Sequence, residues 1–436
     1  MSFREAGIRL IDCVHKTPAA QLVGYPYVAI PQMKNGRVDF SEARRISHAD
    51  FVEWTKKARP QVHDVVLSRR TNPGVTATFG IEVDFALGQN LVLLRADGAV
   101  VNPEFLRWLV VCPDWWAEIE KYNNVGAVFD SLKCADVPNF RLPIPPKPVQ
   151  ISISELLGSM DGKIELNQRM NETLEAMAQA IFRDWFVDFG PVRRKLEGAT
   201  DPVVIMGGLM PDLACAAELA GLFPDAMGGE ELPVGWSNPP LSEHLEIIGG
   251  GTPKTSNPNY WGGDLPWFSV VDTPSGSDVF VFDTEKRITP AGLADSSARL
   301  IPAGTTIISA RGTVGNLAIA AQDMTFNQSC YALQSARGDH PYFVYLLAAH
   351  AVDQLRSMAH GSVFSTITRQ TFEAMSFASP HVAVLDAIEG LLSPLFQRIK
   401  AAVAENRTLA ETRDYLLPRL MSGEVRAGDA AQEIAA

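Results

Sequence analysis

Residues 391–420 read LLSPLFQRIKAAVAENRTLAETRDYLLPRL. Together with Ile388 just before it, this stretch places Leu392, Leu395, Ile399, Ala402, Asn406, Leu409, Leu416 and Leu420 in alternating steps of four and three, with Arg413 as the one seam position skipped. That is coiled-coil spacing sustained for about five heptads, so it predicts a long helix packed against another helix. Rising about 1.5 Å per residue, such a strip would overhang a module of ordinary size if it packed on that module alone. Pro394 predicts a kink near the start.

Stepping back 235 positions reveals the partner, with Ile153, Leu157, Met160, Ile164, Asn167, Asn171, Leu174, Ala178, Ile181 and Trp185 forming the same strip. Asn171 falls opposite Asn406 in the alignment, and a polar seam residue fixes register at some cost in stability. Gly158 and Gly162 weaken the beginning of this helix. The same offset matches Gly126, Phe129, Leu132 and Pro145 to Gly361, Phe364, Ile367 and Pro380. Further upstream the offset drifts to about 240, where Val66-Leu67-Ser68-Arg69-Arg70 matches Ile307-Ile308-Ser309-Ala310-Arg311 and Gln89 matches Gln328.

The chain is therefore a duplication, and a repeat of this kind sets the whole fold. Short β-branched runs such as Val65 to Leu67, Leu91 to Leu94, Val279 to Phe282 and Thr305 to Ile308 predict strands in each copy. Arg107 to Ile119 and Phe343 to Leu355 predict one embedded helix apiece. The expected class is α+β: two tandem mixed α/β modules separated by two long antiparallel coiled-coil helices. The boundaries are 1–148 for the first module, 149–190 for the first long helix, 191–231 for a connector, 232–380 for the second module, 381–424 for the second long helix and 425–436 for a tail. The first copy has no counterpart of Leu232 to Trp236 and is expected to open at Ile8 to Val14. Pro191, Gly207-Gly208, Pro211, Pro224 and Gly228-Gly229 predict a loosely structured connector, with a short helix near Leu213 to Leu219.

At 436 residues with 46% hydrophobic and 20% charged side chains, the composition is globular. No apolar run is long enough to span a bilayer, and the first residues do not form a secretory signal, which places the protein in the cytoplasm. Five cysteines, with no Cys-x-x-Cys pair, argue against a disulfide framework and a structural zinc site. The net charge of −12 speaks against a nucleic-acid partner until it is divided along the chain. Seven acids and no Lys or Arg lie between Glu197 and Glu231, leaving −5 elsewhere; residues 1–145 stand at +1 and the second module at −4.

Catalytic signatures are incomplete. Asn238-Pro239-Pro240-Leu241 approaches the Asn-Pro-Pro-aromatic motif of amino-methyltransferases but ends in Leu, and no cofactor-binding glycine turn accompanies it. Gly249 to Lys254 lacks the spacing of a phosphate loop, and Pro253 removes an amide donor, so a flexible surface turn is expected. Asp161 and Lys163 fall on the predicted long helix, far along the chain from Asp114. The pair Cys13 and His15 reads as packing rather than ligation, so the sequence indicates neither catalytic residues nor metal ligands. Two related readers joined by long helices would suit a partner with two sites at a fixed separation, as duplex DNA is.

Several stretches resemble the specificity subunits of type I restriction-modification systems. They are Leu232-Pro233-Val234-Gly235-Trp236, Gly250-Gly251-Thr252-Pro253, Lys163-Ile164-Glu165-Leu166-Asn167 running into Arg169-Met170-Asn171-Glu172-Thr173-Leu174 and Trp185-Phe186, and Asn406-Arg407-Thr408-Leu409 followed by Leu416-Leu417-Pro418-Arg419-Leu420 and Ser422-Gly423. The resemblance covers nearly the whole chain. It implies two target-recognition domains, each reading half of a bipartite double-stranded DNA site, with the helices setting the spacer. It also implies a non-catalytic subunit that assembles with two modification (methyltransferase) subunits and with restriction (translocase and nuclease) subunits. S-adenosylmethionine, ATP and magnesium would then belong to those partners, with no cofactor in this chain.

Arg reads guanine and Asn or Gln reads adenine, while phosphates need local Lys and Arg. The DNA-binding candidates are Gln32, Asn35, Arg69, Arg70 and Asn72 in the first module, and Lys254, Arg311, Asn316 and Ser365 in the second. Arg70 and Arg311 stand out because they recur at matching positions. Asn171, Leu174, Trp185, Asn406, Leu409 and Leu416 are the candidates for the spacer and partner helices. The competing expectations are a stand-alone DNA adenine methyltransferase using Asn238 to Leu241, and a paired module that binds protein or carbohydrate.

Overall fold

The computed structural model describes residues 1–57, 59–80, 83–122, 131–210, 212–360 and 366–435. It divides into two compact units, one made of Met1–Lys163 with Thr408–Ala436 and the other of Ile164–Arg407. Each unit therefore holds one β-rich module and a segment of both long helices.

In the first unit a six-stranded sheet runs in the order Ile8–Asp12, Leu91–Ala96, Val65–Ser68, Thr76–Thr78, Arg37–Val38, Met33–Lys34. A smaller sheet places Tyr25–Val28 between Arg44–Ile46 and Ala86–Leu87. Alternation along the strands sends Val65, Leu67, Val92 and Leu94 to one core cluster and Val66, Leu91 and Leu93 to another. Because both faces are covered, Leu91-Val92-Leu93-Leu94 reads as a continuous apolar run instead of an alternating one. Phe3, Trp115 and Phe140 pack their rings together in the first of these clusters.

The second unit repeats this plan. Its five-stranded sheet has the order Leu245–Gly249, Cys330–Ser335, Thr306–Ser309, Leu317–Ala320, Phe280–Val281. Four strands pair in the same antiparallel sense as their counterparts, and the fifth joins in parallel in both copies, through Arg37 with Thr78 and Phe280 with Ile319. The smaller sheets also correspond, since Tyr27 and Val28 pair in parallel with Ala86 and Leu87 as Trp267 and Phe268 do with Thr325 and Phe326. The duplication thus extends to strand order and direction.

Lys147–Phe186 and Val382–Ser422 are each one uninterrupted helix, the second continuing through Pro394. They run antiparallel: the beginning of the first meets the end of the second in the first unit, and the reverse holds in the second. Ile153, Leu157 and Met160 share a cluster with Leu416 and Leu420 in the first unit. In the second, Ala178, Ile181 and Trp185 share one with Ile388, Leu392 and Ile399. The seam is not purely helix against helix. Leu395 is only partly buried, whereas Phe396 is fully buried and stacks on Tyr342 of the module, ring centroids 4.6 Å apart. A straight α-helix drifts by about 20° per heptad against a strict seven-residue repeat, which carries its apolar strip from the partner helix towards the module.

Two expectations need correction. The helix foreseen over Arg107 to Ile119 is two helices, Leu106–Leu109 and Pro113–Tyr122. Pro113 disfavours helical backbone at Cys112 and is instead the first residue of the next helix. The connector is not loose. It folds into the helices Gly190–Leu196, Pro202–Ile205 and Leu213–Gly221, and buries Val192, Ile205, Met206, Ala216 and Phe223 in the core of the second unit. Its acidic side chains are spaced around small apolar ones, so composition hid the buried face.

Candidate nucleic-acid interface

In each module a tight turn follows the third strand from the sheet edge. In the first, Ser68 N–H donates to the Val75 carbonyl at 2.9 Å and Gly74 N–H to that of Ser68 at 3.0 Å. In the second, Ser309 N–H donates to Asn316 at 2.9 Å and Gly315 N–H to Ser309 at 2.8 Å. Both turns need left-handed backbone at equivalent positions: Thr71 at φ 67° matches Gly312 at 78°, and Gly74 at 93° matches Gly315 at 83°. A threonine there costs of order 1 kcal/mol, which the surrounding bonds sustain.

Arg70 and Arg311 sit at the same place in these turns, both exposed. Their guanidinium groups make no hydrogen bond or ion pair with the described residues. Other basic side chains of the two modules are engaged. Lys34 pairs with Asp39 at 2.8 Å, Arg287 with Asp283 at 2.8 Å, and Arg369 donates to the Ile247 carbonyl at 2.6 Å. An exposed, unengaged guanidinium has lost little solvation and can bind phosphate or a base edge without first breaking a protein contact.

A second turn abuts each of these. Gly88 N–H donates to Val28 and Asn327 N–H to Phe268, while the Asn90 carbonyl accepts from Arg69 N–H and the Ser329 carbonyl from Ala310 and Arg311. In the first module this brings His15, Arg69, Arg70, Gln89 and Asn90 around one polar pocket. An adjoining cleft is lined by Gln32, Arg44 and Thr71 as well as Gln89 and Asn90. Gln32, Arg69 and Arg70 are thus brought together around these recesses. Asn90 and His15 were not among the candidates; Ser329 stands at the place of Asn90 in the second copy, and no His follows the matching strand Leu245–Gly249 there. Gln89 and Gln328 do recur, but Gln328 accepts a hydrogen bond from the Thr252 hydroxyl.

The remaining candidates are scattered. Asn35, at φ 50°, occupies the tip of the hairpin between Met33–Lys34 and Arg37–Val38. Asn72 is exposed beside Arg70, its N–H donating to the Arg70 carbonyl at 2.7 Å. Lys254 is exposed near the start of the second module, and the Asn316 backbone closes the second turn. Ser365, with Gly126, Phe129, Gly361 and Phe364 of the repeat, lies outside the described residues.

Gly249 to Lys254 is not the flexible surface turn expected. A Cβ at Gly250 would collide with the Asn327 carbonyl and one at Gly251 with the Ser297 backbone, while Trp267 Nε1 donates to the Gly251 carbonyl at 3.0 Å. These glycines permit close backbone packing. Asn238 to Leu241 is likewise structural, since the Pro239 carbonyl accepts from Phe377 N–H and Leu241 is buried. Asp161 on the first long helix is buried and ion-paired with Arg107 of the module and, at 2.7 Å, with Arg413 of the second helix.

The helix candidates face inward. Asn171 is fully buried, and Asn406 accepts a 2.9 Å hydrogen bond from the Asn167 side chain. Trp185 is enclosed, its ring 5.0 Å from that of Phe223. Leu174 packs on the same cluster, and Leu409 and Leu416 pack in the first unit.

A family model described as the type I restriction modification DNA specificity domain matches residues 16–176 and again 233–401. Among relatives, the type I restriction enzyme HindI specificity subunit of Haemophilus influenzae is 27% identical over 376 residues, covering 78% of this chain and 82% of that protein. The putative type I restriction enzyme MjaX specificity subunit of Methanocaldococcus jannaschii is 20% identical, with 93% and 88% covered. The crystal structure of the type I restriction-modification S subunit from M. genitalium superposes with a TM-score of 0.53 at 13% identity, covering 96% of this chain and 95% of that one.

Proposed function

The chain belongs to the type I restriction-modification DNA specificity family, and on that premise we propose that each of its modules reads one half of a bipartite DNA site. It is a specificity subunit and not itself an enzyme. One observation carries the reading: the same turn, in two copies of one sheet, presents an exposed and unengaged arginine, Arg70 in one and Arg311 in the other. In the first module Gln32, Gln89 and Asn90 supply amide groups beside that arginine, the donors and acceptors suited to adenine edges.

The two long helices set the separation of the half-sites and dock two modification subunits on their outward faces, since the seam residues are used inside. Restriction subunits complete the assembly. S-adenosylmethionine, ATP and magnesium belong to these partners, and the complex works in the cytoplasm. No helix among the described residues is long and apolar enough to cross a membrane. The charge of −12 makes this chain alone a weak DNA binder, so tight binding draws on basic surface from the partners.

The test is to express the chain with its modification subunit in a host lacking other adenine methylation and to sequence the genome by a single-molecule method. A two-part methylated motif with a fixed unspecified spacer is expected. Methylation at a continuous motif, or by the purified chain alone with S-adenosylmethionine, contradicts the reading.

A further inference from the structure

We propose that the first module holds a divalent ion of the zinc class between Asp12, Cys13 and His15. Asp12 ends the edge strand of the large sheet, and Cys13 and His15 follow it. One donor atom from each of these three lies within 4.8 Å of the others. The edges of a tetrahedron about zinc, built from bonds of about 2.0–2.3 Å, measure about 3.2–3.8 Å, so small side-chain rotations suffice.

The imidazole is already oriented as a ligand. His15 Nδ1 lies 3.1 Å from the Gln89 carbonyl oxygen, to which it can donate, leaving Nε2 to face Asp12 Oδ2 at 3.0 Å. A ligating histidine usually fixes its tautomer through such a carbonyl. With three protein donors the fourth position is left to water, as in open zinc sites.

Charge agrees as well. One thiolate, one carboxylate and a divalent ion sum to zero, so the ion leaves no uncompensated charge at the buried Cys13. Sulfur and imidazole donors select zinc-class ions over magnesium or calcium. The duplicated strand ends in Gly249-Gly250-Gly251, which offers no such donors, so the cluster belongs to the first module alone.

Cobalt(II) alone, titrated into the metal-free full chain, tests the site. A thiolate-to-cobalt charge-transfer band saturating at one ion per chain and displaced by zinc is expected. Asp12→Asn and His15→Ala, neither of them in the apolar core, should each weaken cobalt binding about tenfold or more with an unchanged circular dichroism spectrum. No saturable band in the parent chain, or a band that neither substitution weakens, overturns the proposal.

Discussion

Arg70 and Arg311 make their contribution by not being used within the protein. Arg70→Ala should weaken DNA binding by about 1–3 kcal/mol and relax the sequence preference of one half-site, and Arg311→Ala should do the same for the other. Binding measured on sites randomised in one half at a time checks this. Glu175 makes a different kind of prediction. It accepts a 2.8 Å hydrogen bond from the buried Tyr345 hydroxyl, yet burial holds its carboxyl above the ordinary 4.5. A group raised in the folded state adds stability that is complete below its unfolded value and is lost as pH rises through the folded one. Glu175→Gln keeps an acceptor for Tyr345, so its melting temperature should fall less than the parent's as pH rises above 4.5. At this scale the sequence was only partly legible. Arg70 and Arg311 could be found because the copies align there, whereas His15 and Asn90 have no counterpart to mark them.

Among the elements, the long helices were the most legible, because a seam repeated over many turns leaves a periodic record that short strands do not. Strands of two residues, such as Phe280–Val281, depend on partners distant in sequence, and their parallel pairing could not be read from local pattern. Punctuation was read too simply. Pro113 starts a helix as well as ending one, and the glycines at 250 and 251 mark close packing rather than freedom. In the connector, helices begin behind Asp201 and Asp212, whose side chains accept from Val203 and Cys215 N–H. Acidic caps of this kind resemble a disordered acidic stretch when only composition is counted. The proposed role of the helices in setting the spacer has its own consequence: removing one heptad from Lys147–Phe186 should change the spacer of the methylated motif or abolish modification. An active complex with its spacing unchanged would count against that role.

For the whole molecule, the acidic balance proved compatible with DNA recognition once seven charges were placed in the connector and the two arginine-bearing turns were found in matching modules. On the proposed function, two units built on one plan also make recognition divisible, with base readout assigned to each module and the helices shared. The most direct measurement is to replace residues 232–380 with the corresponding module of another family member and map methylated adenines in cells supplying the modification subunit. One half of the recognised sequence should change while the other half and the spacer are kept. A change in both halves, or in neither, would contradict the account.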